Sequence, residues 1–354
     1  MVSGLDKFSV FQLQSEITRR SAYDECVPIK EKALPRGFVQ RPGATIHYLT
    51  YGDKSKPCLF FIHGSEQNNA AWWRIIPTLT NEYFCISMSI RSWGQSFVDD
   101  DNVDAVDPSL FGGDALAIID QEKLKSVSII CHSIGGVVAV RAAFEEPERV
   151  ERIIFCNSFA GFGDGAGPLE RSICDTLWNP SVFIFGSSAE AWKLIYHRRD
   201  SMAKELRKDM PWIDSDRMSL LGGDRALTSL APSFREREPA MACLHDAISA
   251  QNVQFARLAV FKRINALWNN NLMVPPADFR AKFTGPVHFI TSELDGIMPW
   301  EFAEYRAAQL GDNTTLKYFT GSGHSVNVEN ADEFNAHLRQ YLQGQYKDPC
   351  KRKL

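Results

Sequence analysis

The chain has 354 residues, 44% hydrophobic and 23% charged, with a formal net charge of -4. These values are ordinary for a soluble globular protein with a substantial core, in one large domain or two modest ones. The small charge argues against nucleic acid or an anionic membrane surface as the main partner. No uncharged apolar run approaches the roughly 18 residues that span a bilayer, so stable membrane insertion is not expected. The first residues include Asp6, Lys7, Glu16, Arg19 and Arg20 without a continuous apolar run, giving no sign of a signal or transit peptide. A cytoplasmic protein is the expectation, with oligomeric state left open. The eight cysteines form no CxxC pair and lack metal-ligand spacing, so reduced, mostly buried thiols are expected, with no metal and no cofactor.

In chain order, residues 1–34 read as an N-terminal extension with a helix over Val10 to Ser21, and Pro35-Arg36-Gly37 punctuates the start of the core. Ala44 to Tyr51 reads as a strand. Cys58 to Ile62, CLFFI, is apolar at every position, as expected of a strand covered on both faces. A helix over Ala70 to Thr80, a strand over Phe84 to Ile90, a helix around Gly113 to Asp120 and strands over Ser126 to Cys131 and Val150 to Asn157 follow. Alternation of this kind predicts a doubly wound, mostly parallel sheet with helices on both faces.

The rhythm then stops. Residues 159–285 are polar, aromatic and helix-rich, with no clear strand. Alternation resumes with a strand over Val287 to Thr291, a helix over Pro299 to Gln309, a strand over Thr315 to Phe319 and a helix over Ala331 to Leu342. The expected organisation is a sheet domain, residues 35–158 and 286–343, interrupted by a helical insertion over 159–285 and ending in a disordered polar tail, 344–354.

Within the sheet domain, Val127 to Ile130 runs into Cys131-His132-Ser133-Ile134-Gly135-Gly136, and an Ala/Val-rich amphipathic segment begins at once. That pattern predicts strand, tight turn, helix, with the Ser133 hydroxyl lifted clear at the apex. A serine is a weak nucleophile without a base, and the base needs an orienting acid. In a doubly wound sheet both belong in loops at the carboxyl ends of strands. The loop 292–299 holds Glu293 and Asp295, and 320–324 ends on His324, giving the chain order Ser133, Asp295, His324. Asn157, after its own strand, is an amide and cannot stabilise an imidazolium by charge.

These blocks resemble the α/β-hydrolase family. The elbow HSIGG, an aspartate four residues before Pro299, and GSGHSVNVEN ahead of an amphipathic helix all match its pattern, over roughly 37–158 and 286–343. FFIHGS, residues 60–65, resembles the segment after the family's third strand. The resemblance implies Ser133 as nucleophile, His324 as base and Asp295 as acid, with the spacing to Pro299 favouring Asp295 over Glu293. It implies an oxyanion hole from the backbone N–H groups of Ser65 and Ile134, where donors fixed in advance stabilise charge as it develops. It also implies that the insertion is a cap between the family's sixth and seventh strands. Two positions depart from the pattern: Cys131 replaces the usual first glycine of the elbow, and Ser89 to Ser96 lacks an aspartate and a glycine common in relatives.

His63 and His132 flank the site and read as loop braces; His47, His197, His245, His288 and His337 have no evident partners. Glu66 and Gln67 are candidates to meet polar groups of a substrate. Trp178 and Phe183 of the insertion are candidates to line an apolar pocket, with core packing as the alternative role for each. The expected activity is a cofactor-independent serine hydrolase acting on a small to medium apolar carboxylic ester or lactone. C–C bond hydrolysis of a β-diketone or vinylogous diketone by the same three groups is the alternative. A non-catalytic ligand receptor on the same fold is a second one.

Overall fold

The computed structural model describes residues 37–65, 67–91, 93–98, 107–158, 161–163, 229–250, 273–298 and 300–346. The N-terminal extension with its expected helix, Glu66, Trp178, Phe183, His197 and the last eight residues lie outside these.

Among the described residues the sheet has nine strands: β1 (Phe38–Arg41), β2 (Ala44–Tyr51), β3 (Cys58–Ile62), β4 (Phe84–Met88), β5 (Phe97–Val98), β6 (Val127–His132), β7 (Val150–Cys156), β8 (Val287–Ser292) and β9 (Thr314–Phe319). Their spatial order is β1-β2-β4-β3-β6-β7-β8-β9, with β5 on β2. The pairs β1–β2, β2–β4 and β2–β5 are antiparallel and all others are parallel. The direction of winding reverses between β3 and β6, and the crevice beyond their carboxyl ends is where an open α/β sheet receives ligands.

Apolar strands at every position follow from burial on both faces. Phe60, Ile62, Ile129, Cys131, Ile153, Phe155 and Phe289 point to one side, against α2 (Phe111–Gln121) and α3 (Gly135–Glu145). Leu59, Phe61, Ile130, Ile154, Cys156, Ile290 and Phe319 point to the other, against Trp72, Leu79 and the last helix. Each such side chain contributes roughly 1.5–3 kcal/mol, so the strands are held by both layers.

Several details differ from the expectation. The short strands β1 and β5 were not anticipated; leaving aside the two-residue β5, the insertion follows the sixth strand and precedes the seventh, as the resemblance implied. The helix expected over Ala70 to Thr80 is two pieces, a 3₁₀ turn at Asn69–Trp72 capped by Asn68 and the short helix α1 (Ile76–Leu79). Pro77 sits at the first turn of α1; it has no N–H and its ring collides with the carbonyl four residues back, so one continuous helix is disfavoured. Of the expected tail, residues 344–346 are described. Tyr346 donates from its hydroxyl to Leu316 O at 2.7 Å and packs edge-on against His337.

The loop after β4, which departs from the family pattern, is braced by a buried ion pair. Arg91 donates to both carboxylate oxygens of Asp114, at 2.8 and 2.5 Å, and Arg41 adds a third contact at 3.1 Å.

Of the insertion, α4 (Pro232–Arg237), α5 (Pro239–Ala250) and α6 (Pro276–Lys282) are helical as expected. Its two ends are drawn together by a parallel bridge between Phe162 and Val274, with Gly163 N donating to Val274 O at 3.1 Å and Val274 N to Gly161 O at 2.9 Å. After it come α7 (Trp300–Leu310), α8 (Val326–Glu329) and α9 (Ala331–Leu342). Among the described residues, no helix is long and apolar enough to cross a membrane, and no three His, Cys, Asp or Glu side chains group as metal ligands. Cys58, Cys85, Cys131 and Cys156 are buried free thiols, and Cys243 is an exposed one.

Candidate active site

Strand β6 runs directly into Ser133, whose backbone has φ +49°. That left-handed conformation costs an ordinary residue about 1 kcal/mol or more and persists only where the surroundings impose it. They do so here: Ser133 N donates to Cys156 O at 3.2 Å, and its carbonyl accepts from Gly136 N at 3.0 Å and from Ser158 Oγ at 2.5 Å. Two glycines make room. A Cβ on Gly135 would lie 2.7 Å from His63 O, and one on Gly64 would lie 2.5 Å from His132 Nδ1. The elbow and the loop after β3 therefore meet at near-backbone contact. Ile134, at the start of α3, and Ser65, in the facing loop, stand on these two touching segments. The Ser65 hydroxyl is buried without a partner.

The expected acid and base, Asp295 and His324, meet at the ends of β8 and β9. His324 Nδ1 lies 2.9 Å from Asp295 Oδ2. Because that nitrogen faces a carboxylate it carries the ring hydrogen, which leaves Nε2 free to accept a proton. Asp295 is wholly buried, and a buried charge is tolerable only when its lone pairs are filled. They are filled: Oδ1 accepts from the amides of Ile297 and Met298 at 2.8 and 2.9 Å, and Oδ2 accepts from Asn157 Nδ2 at 2.7 Å as well as from His324. Glu293, the competing acid in sequence, points elsewhere and accepts from Gly321 N at 2.9 Å.

Asn157 has a role that its sequence position hinted at only weakly. It takes a left-handed φ of +44°, holds Asp295 through Nδ2, and accepts from Ser292 Oγ at 3.2 Å. It occupies the strand end next to Asp295 and orients that carboxylate.

His63 and His132 brace loops. His63 Nε2 accepts from Ile90 N at 2.9 Å, and His132 Nε2 donates to the His324 carbonyl at 2.8 Å. Burial pushes His63 down to about 4 and His132 well below the usual histidine range, so both stay neutral. Gln67 is placed differently from the substrate contact expected of it. Its Oε1 accepts from Gly64 N at 3.0 Å and lies 3.1 Å from His132 Nδ1, while Nε2 lies 3.4 Å from His245 Nε2. With every polar atom turned inward, Gln67 braces the loop that carries Ser65. His245, from α5, also lies 3.2 Å from Ser325 Oγ, so the insertion delivers a buried histidine to residues on either side of the site. Two contacts spanning 178 and 80 residues of sequence had no local signal.

The model of the alpha/beta hydrolase family matches residues 59–337. Epoxide hydrolase 1 of Caenorhabditis elegans is 26% identical over 124 residues, 34% of this chain and only 30% of that protein. The pimeloyl-[acyl-carrier protein] methyl ester esterase of Aliivibrio fischeri is 23% identical over 308 residues, 84% of this chain and 97% of the esterase. Among solved structures, the 2-hydroxy-6-oxo-6-phenylhexa-2,4-dienoate hydrolase of Rhodococcus sp. strain RHA1 shares the fold with a TM-score of 0.59 at 18% identity, over 85% of this chain and 95% of that one. With the family pattern running from β3 to α9 and through every strand-end loop of the site, the chain belongs to the alpha/beta hydrolase family.

Proposed function

We propose that the protein is a serine hydrolase of carboxylic esters or lactones. The observation that carries this reading is the buried Asp295–His324 pair at 2.9 Å, set at the same end of the sheet as a serine held in a left-handed elbow. Ser133 Oγ attacks the carbonyl carbon as His324 Nε2 takes its proton. Asp295 keeps the Nδ1–H tautomer and stabilises the imidazolium. The amides of Ser65 and Ile134 receive the oxyanion, His324 returns the proton to the leaving alcohol, and water then cleaves the acyl-enzyme by the same route. The acyl group proposed is small to medium and apolar; beside the site, Leu230, Phe234 and Leu244 of the insertion pack with Trp73 and Val328 of the sheet domain. The methyl ester esterase relative, aligned over nearly its whole length, supports ester chemistry over the alternatives. A serine nucleophile disfavours epoxide opening, which in this family uses an aspartate.

A fluorophosphonate probe tests the reading. Wild type is expected to label at Ser133 and Ser133→Ala not at all. Absent labelling of wild type, or equal labelling of the variant, overturns it in favour of a ligand receptor. Aryl esters and a ring-cleavage dienone assayed side by side then test the bond class. Fast dienone cleavage beside negligible ester turnover replaces ester hydrolysis with C–C hydrolysis.

A further inference from the structure

Glu329 is a buried carboxylate that the reaction above does not use. It ends α8, five residues after His324, and is 5% exposed. One oxygen, Oε2, accepts from Gly323 N at 3.0 Å and from Ala231 N at 3.1 Å. The other, Oε1, is buried with no partner. Gly323 is the residue before His324, and a Cβ there would lie 3.0 Å from Oε1 and 2.9 Å from Ala231 N, so its lack of a side chain lets the three segments close on one another. The same seam carries Ser325 N donating to Ser229 O at 2.9 Å, and apolar packing of Val328 with Leu230, Ala231 and Phe234.

We infer that Glu329 is a positioning residue for the base, fastening the loop that carries His324 to the segment that leads into α4. The inference rests on His324 being that base. An ionised carboxylate makes the stronger, charge-assisted bonds to backbone N–H groups. Protonation has one open place, Oε1, and leaves Oε2 a weaker acceptor for both amides. Burial pushes the Glu329 carboxyl up to about 7, with the bonds from Gly323 and Ala231 opposing the rise and the nearby Asp295 charge adding to it. The charged groups facing it are Asp295 from the loop after β8 and Arg235 from α4, the latter paired with Asp246 of α5 at 2.7 Å. His245 stands next to Asp246, and Arg74 reaches Val328 O at 2.6 Å from the turn before α1. The fastening is therefore tightest above neutral pH and loosens below it.

The sign for stability is opposite to that for holding. A carboxyl raised in the folded state contributes stability that is full below the unfolded carboxylate range, and loses it as pH rises through about 7. Glu329→Gln keeps one acceptor oxygen for both amides and cannot ionise. Its melting temperature is expected to gain on wild type from pH 5 to pH 8, and its kcat on an ester at pH 8 to fall several-fold with KM unchanged. Wild type is expected to show an additional step in kcat near pH 7, beside that of the base itself, which the variant lacks. Glu329→Asp, whose shorter arm cannot reach both amides, carries the comparison of kcat at pH 8 should the glutamine variant fold poorly. A melting-temperature difference flat with pH, or a variant whose kcat profile superimposes on wild type, overturns the inference. Loss of fluorophosphonate labelling in wild type and variant alike removes the base assignment and this inference with it. Labelling retained in both at equal rates removes this inference alone.

Discussion

Two buried carboxylates lie at the same end of the sheet, and the contrast between them separates the two sides of the site. Asp295, on the sheet side, has both oxygens filled by backbone amides, Asn157 and His324. Glu329, on the side facing the insertion, has one oxygen doubly bonded and the other bare. Full satisfaction fixes geometry and charge together; half satisfaction leaves a group whose charge can change without a large rearrangement. The sheet side is therefore built to hold one state, and the insertion side to pass between two.

Breaking the sheet side gives the largest expected effect. Asp295→Asn cannot be accommodated in either amide orientation. With its NH2 toward Ile297 and Met298 it faces two N–H donors; turned the other way it faces Asn157 Nδ2 and His324 Nδ1–H. The histidine then loses its preferred tautomer, and kcat/KM on an ester is expected to fall about 1,000- to 10,000-fold. The unsatisfied donors also lower stability by roughly 1–3 kcal/mol. A loss below tenfold in a steady-state assay would show that Asp295 does not orient the base.

The next effect runs through pH, with a sign opposite to that at Glu329. His47, His63 and His337 are pushed down by burial to about 4, and His288 well below the usual range. His288 and His337 touch through their Nε2 atoms at 2.8 Å, a contact that works only while one of the two nitrogens bears no hydrogen. A histidine depressed in the folded state gives stability that is present above the unfolded value near 6.5 and is lost as pH falls toward about 4. Each of the three at about 4 forfeits on the order of 3 kcal/mol over that window. Thermal unfolding from pH 7 to pH 4.5 is expected to show a steep fall in melting temperature. His337→Gln should make that fall shallower, and an unchanged slope would exonerate the pair.

The contrast also explains what the sequence made legible. Ser133, Asp295 and His324 each follow a β-rich apolar run into a short loop of Gly, Ser or Asp, so strand-end placement and chain order could be read directly. CLFFI was legible because burial on both faces removes alternation. The partners that complete the site were not. Asn157 was visible as a strand-end amide, but its bond to Asp295 spans 138 residues. His245 and Gln67 are brought together by the packing of α5 over the loop after β3, which no local pattern encodes. Strands β1 and β5 have four and two residues, and their pairing on β2 rather than their own composition makes them strands.

The smallest expected effect tests whether the insertion side reaches the oxyanion loop at all. Gln67 holds Gly64 N at 3.0 Å, and its other end meets His245 at 3.4 Å. Burial lowers the His245 pKa, against the opposing pull of Asp246, so the ring is neutral and can accept at Nε2. His245→Leu removes an acceptor for Gln67 and a partner for Ser325, at a cost of about 1 kcal/mol in stability. Gln67→Leu removes the brace on Gly64 and costs more, with kcat falling further than KM rises, because the amide network rather than a substrate contact is lost. Coupling between the two sites, measured in kcat with the double variant, is expected to be about 0.5–2 kcal/mol. Additive effects would mean that α5 packs on the site without adjusting it, and would confine the insertion's influence to the seam at Glu329.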